Sequence, residues 1–90
     1  MVKTSILKSS LQNRAVIRLR YQNETEENHD GIVVQISNEL VVLASTDDFE
    51  FNGYNILIRD LIKGYRNSKY ERCYTQILSG NKQLKRMRPP

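Results

Sequence analysis

Ninety residues, of which 39% are hydrophobic and 27% charged, make one domain of ordinary globular composition, since two cores of half that length would each bury too little surface to stand alone. The formal charge of +4 conceals three blocks: residues 1–20 carry +5, residues 21–58 carry −8 and residues 59–90 carry +7. One cysteine, Cys73, excludes an intrachain disulfide and a cysteine-built zinc site, and no apolar run is long enough to span a bilayer or form an export signal, so a cytoplasmic protein without a membrane partner is expected.

Leu7, Leu11 and Ala15 stand four apart with Ile6 beside them, which predicts a short amphipathic helix, although the serines and threonine of TSILKSSLQ favour caps and turns. From Ala15 the period becomes two: Ala15, Ile17, Leu19 and Tyr21 alternate with Val16, Arg18 and Arg20, the pattern of a half-buried strand. Residues 22–30 are polar and acidic and read as a solvent loop. Gly31 then opens a strand with Ile32, Val34 and Ile36 on one face and Val33, Gln35 and Ser37 on the other. Asn38 and Glu39 turn the chain into LVVLAS, apolar on both faces, so these two strands form a hairpin. Phe49 and Phe51 lead into Asn52 and Gly53, a strong hairpin-turn signal because both residues tolerate positive φ, and Tyr54, Ile56 and Ile58 continue on the return strand.

Residues 61–66, LIKGYR, read as a last short strand. Ser68 and Glu71 have the spacing of a capping box, and Tyr70, Cys73, Tyr74, Ile77 and Leu78 form a helical apolar stripe that Gly80 ends. Residues 81–90 carry Lys82, Lys85, Arg86 and Arg88 without a companion apolar face and end in two prolines, the composition of a flexible basic tail.

Consecutive short antiparallel strands in so small a chain must bend to hide one face. The expected fold is therefore mainly β, a five-stranded bent antiparallel barrel of SH3-like or Sm-like type, with a short N-terminal helix and a C-terminal helix, spanning residues 1–80. Val33, Val41, Leu43 and Leu57 fall on the face opposite the expected interior, so helices or neighbouring subunits have to cover them.

The order of elements, with the strings GIVVQISNELVVLAS and ILIRD, resembles the Sm-like family of small β-barrels. Gly31 matches the glycine of that family's second strand, and Ile56, Leu57, Ile58 and Arg59 match the start of its second motif, with Asp60 standing where the family has glycine. The resemblance implies RNA or single-stranded DNA as partner, Arg59 at the nucleotide site, Asn38 in the turn that contacts a base, and a homo-oligomeric ring closed by edge-strand pairing.

The residues themselves point the same way. Arg59, Lys63 and Arg66 beside Tyr65 combine phosphate contacts with a ring on which a base can stack, the arrangement used by single-strand binders. The tail charges Lys82, Lys85, Arg86 and Arg88 add nonspecific attraction. No cofactor, metal or catalytic constellation is expected: His29 lies in the acidic loop, Cys73 on the helix stripe, and the four glycines stand apart rather than forming a phosphate loop. Two alternatives stay open, a protein-interaction or assembly module on the same barrel, and basic termini that only pair with the acidic middle.

Overall fold

A computed structural model describes residues 2–90. Helix α1 (Thr4–Asn13) precedes β1 (Ile17–Gln22), β2 (Glu26–Ile36), β3 (Leu40–Asp47) and β4 (Glu50–Ile58), a 3-10 turn at Arg59–Leu61, β5 (Ile62–Arg66), α2 (Lys69–Gly80) and a second 3-10 turn at Gln83–Arg86. The strands form one open antiparallel sheet in the order β4-β3-β2-β1-β5, so the fold is mainly β with two helices. The sheet curls: Ile58 of β4 donates its N–H to the Tyr21 hydroxyl of β1 at 3.2 Å, although two strands separate them.

Apolar residues on both faces produce two cores. Leu7 of α1 covers Ile17, Leu19, Val33, Val41, Leu43, Leu57 and Ile62, and on the other face Val16, Ile32, Val34 and Ala44 meet Tyr74 and Leu78 of α2 and Met87. The alternation in the sequence separates these sets, but Val33, Val41, Leu43 and Leu57 line the larger core rather than the outer face. Val34 is an extra residue in the β2–β3 ladder, where Val33 faces Leu43 and Gln35 faces Val42. This bulge shifts Ile36 onto the α1 side. Ser10, buried within α1, accepts a hydrogen bond from Val33 N–H at 3.1 Å and donates to Ala15 C=O at 2.7 Å, which accounts for a serine inside the helix. Gly31 is required by close approach, since a Cβ there would lie 2.2 Å from the Ala44 carbonyl oxygen.

Four expectations are corrected. β2 begins at Glu26, so half of the acidic loop is strand, with its polar residues paired against Arg18 to Gln22. The β3–β4 turn lies at Asp48 and Phe49, with φ of 50° and 63°, and not at Asn52 and Gly53. Phe49 is held there by its N–H bond to Tyr74 Oη (2.8 Å) and by ring contact with Tyr74, while Asn52 and Gly53 (φ 87°) together oppose Ser45 as a bulge inside β4.

The third correction concerns α2, whose buried side is Glu71, Tyr74 and Leu78, leaving Tyr70, Cys73 and Ile77 exposed. Ser68 and Glu71 do form the capping box, and Glu71 turns inward with it. Fourth, residues 81–90 fold back on the sheet instead of forming a flexible tail. Met87 is fully buried, Arg14 donates to the carbonyls of Leu84 and Met87, and the Tyr54 hydroxyl donates to Arg88 C=O at 2.5 Å. The apolar Leu84 and Met87 were hidden in the sequence by the charges around them.

Candidate nucleic-acid interface

Asn38 and Arg59 are brought together by two loops joined through the backbone. The β2–β3 turn closes with Ser37 N–H donating to Leu40 C=O (2.9 Å), and the 3-10 turn after β4 attaches to it through Arg59 N–H and Glu39 C=O (2.9 Å). The Arg59 guanidinium donates to Ser37 C=O at 2.9 Å and to the Thr4 hydroxyl of α1 at 2.5 Å. Both acceptors are neutral, so its position is fixed while its charge stays uncompensated. Thr4, Lys8, Leu11, Ile36, Ser37, Asn38 and Arg59 line an open cleft of about 360 Å³ without a carboxylate among them.

Lys63 and Tyr65 lie across the first turn of α1 from this cleft. With Lys3, Ser5 and Ile6 they line a second one of about 410 Å³ along the free edge of β5. Lys63 Nζ donates to Asp60 C=O at 3.3 Å, and the Tyr65 side chain is 51% exposed. Val2 N–H donates to Ile62 C=O at 3.1 Å, which anchors the start of the chain to this edge. Because Thr4 belongs to one cleft and Ser5 to the other, the two adjoin. Together they present Lys3, Lys8, Arg59 and Lys63, a carboxamide and a ring, and none of these four cations is in an ion pair among the described residues.

The remaining predicted residues are elsewhere. Arg66 stands opposite Arg18 on the α2 side of the sheet, in a bidentate pair with Glu71 (2.7–3.1 Å), so it does not join Arg59 and Lys63 in one cluster. Strand alternation puts Tyr65 and Arg66 on opposite faces. Arg86 lies 5.6 Å from the Phe51 ring centroid and donates to Gln83, and Arg88 donates to Lys85 C=O. This places the tail charges beside β4, at the far edge of the sheet from β5. In the sequence, Lys3 and Lys8 are marked by nothing beyond the acid-free charge of residues 1–20.

No group of three or more His, Cys, Asp or Glu side chains among the described residues is placed to hold a metal ion, and no described helix is long and apolar enough to cross a membrane. No protein-family model, curated protein or solved structure matches this chain.

Proposed function

We propose that this chain is a non-catalytic module that binds single-stranded nucleic acid, RNA or DNA, across the two clefts beside α1. The observation that carries the reading is the set Lys3, Lys8, Arg59 and Lys63, unpaired among the described residues, with Asn38 at one end and the exposed Tyr65 ring at the other. Cations neutralise successive phosphates, and a ring stacks on a base of any identity. The strand order, with β5 against β1 and a helix in front of β1, supports placing the curled sheet among Sm-like barrels. On that reading copies of the chain assemble by pairing the free edges of β4 and β5.

Fluorescence anisotropy with labelled single-stranded RNA and DNA at two salt concentrations tests this. Binding should weaken steeply with salt. Arg59→Ala or Lys63→Ala should lower the salt slope by about 0.7 for each lost contact, and Tyr65→Ala should cost about 1 to 3 kcal/mol whatever the base. Absence of binding at low salt, or binding indifferent to all three changes, refutes the reading.

A protein-assembly role is the second reading, favoured by Leu40, Ile56 and Ile58, which are 42%, 67% and 47% exposed. Leu40 and Ile58 face each other across β3 and β4, so they form one apolar patch with Ile56 along the free β4 edge. Association through this patch would be largely insensitive to salt, unlike phosphate binding.

A further inference from the structure

Three guanidiniums gather on the face of the sheet opposite α1. Arg18 and Arg20 are two residues apart on β1 and share a face, alternating with Ile17, Leu19 and Tyr21, which belong to the core under α1. Across the ladders, Arg18 faces Arg66, and Arg20 faces Gly64 on one side and Asn28 on the other. With Tyr65 these residues line an open cleft of about 330 Å³.

Two of the three guanidiniums are fixed from behind. Arg18 uses Nε and Nη2 on Asp30, at 2.7 and 2.9 Å, and Arg66 uses the same two nitrogens on Glu71. In each, Nη1 is left as a donor without a protein acceptor among the described residues. Among the described residues Arg20 has no carboxylate partner, and its one side-chain hydrogen bond is a long 3.5 Å approach of Nη2 to Lys63 C=O. Gly64 makes room for this arrangement, because a Cβ there would meet Arg20 Nη2 at 3.2 Å. Planar forks held in place with free N–H edges, beside one uncompensated charge, suit a tetrahedral oxyanion.

We propose that this cleft binds a phosphate group, with Arg20 supplying the net charge and Arg18 and Arg66 the positioned Nη1 donors. The site meets the α1-side surface along β5, where Gly64 and Tyr65 line both clefts, but Arg18, Arg20 and Arg66 belong to this one alone. The phosphate is either a backbone diester of a single strand or the monoester of a small phosphorylated ligand, and both present the same oxygens to the arginines.

Amide and arginine Nε–H resonances of the full chain, followed by two-dimensional NMR, distinguish these sources when inorganic phosphate and a short single-stranded oligonucleotide without terminal phosphates are titrated separately. Shifts at Arg18, Arg20 and Arg66, which line this cleft and not the α1-side ones, are expected with phosphate. If the oligonucleotide produces the same shifts at lower concentration, the ligand is a diester, and if only phosphate does, it is a small phosphorylated molecule. Arg20→Ala should weaken binding about tenfold or more, the loss of a charge-assisted contact. Gly64→Ala keeps the charge and moves the exposed guanidinium tip only slightly, so it should leave the phosphate shifts in place. Gly64 is not among the positive-φ glycines and the Arg20 side chain is exposed, so the variant should fold. The proposal is overturned if neither ligand shifts these residues, or if the shifts persist in Arg20→Ala. Shifts confined to Lys3, Lys8, Asn38, Arg59 and Lys63 would overturn it while leaving the α1-side reading intact.

Discussion

Glu71 is 1% exposed and still ionised, which makes it the sharpest probe of how α2 is seated. Burial pushes its carboxyl up, but the Arg66 guanidinium and the Ser68 backbone N–H and hydroxyl outweigh this and hold it at about 2, below the ordinary 4.5. A depression of that size corresponds to about 3 kcal/mol in favour of the folded state, a ceiling because the exposed side of Arg66 is screened by solvent. The unfolded chain takes up the proton first, near pH 4.5, so this stability is fully present above that pH and is lost as the pH falls towards about 2. Glu71→Gln preserves the shape but turns an amide NH2 towards donors it cannot accept from. It should lose up to about 3 kcal/mol at neutral pH, and the gap to the parent should close on acidification. Urea unfolding followed by far-ultraviolet circular dichroism, in both proteins at several pH values, reads that gap directly, because contributions of the other carboxylates cancel in the difference. A variant within about 0.5 kcal/mol of the parent at neutral pH, or a gap that does not change with pH, would refute the assignment.

Met87→Ala should cost about 2 to 5 kcal/mol in the same unfolding assay, because the side chain is fully buried between α2 and the sheet, whereas a residue in a mobile tail would cost nothing. Ile77→Ala should cost less than about 1 kcal/mol, since Ile77 is 41% exposed, and a larger loss would place the buried stripe of α2 elsewhere. Cys73 is exposed and should react with a thiol reagent without prior unfolding; labelling that tracks the unfolding rate would contradict its position. For the assembly reading, light scattering should find an oligomer that Ile56→Lys dissociates, and a parent protein that is monomeric at micromolar concentration would remove the ring.

The candidate surface was only partly legible in the sequence. Arg59, Lys63, Tyr65 and Asn38 are recognisable in the sequence as residue types, and all four line the clefts beside α1. Their grouping is not. Arg66 is one residue from Tyr65 but on the opposite face of β5, and Lys3 and Lys8 reach the site from the N-cap and body of a helix more than fifty residues upstream of Lys63. Arg18 and Arg20 showed the alternation that places them on one face, but what lies across from them depends on strand pairing, which periodicity does not specify.

Residue pattern alone determined that this chain is mainly β, that a helix stands at each end of the strands, and that Ser68 and Glu71 cap the second helix, since each is a local consequence of hydrophobic period or hydrogen-bonding geometry. Only tertiary structure decided where that local logic yields. The sequence offered Asn52 and Gly53 as a turn, but the contact of Phe49 with Tyr74 sets the reversal at Asp48 and Phe49 and leaves the glycine to form a bulge. Residues 81–90 read as a solvated tail because four charges surround Leu84 and Met87. Alternation marks Ile32 and Val34 as an apolar face but not what covers them; in the folded chain Met87 joins Tyr74 and Leu78 over Val16, Ile32 and Val34, and this burial opposes the conformational freedom the chain end loses.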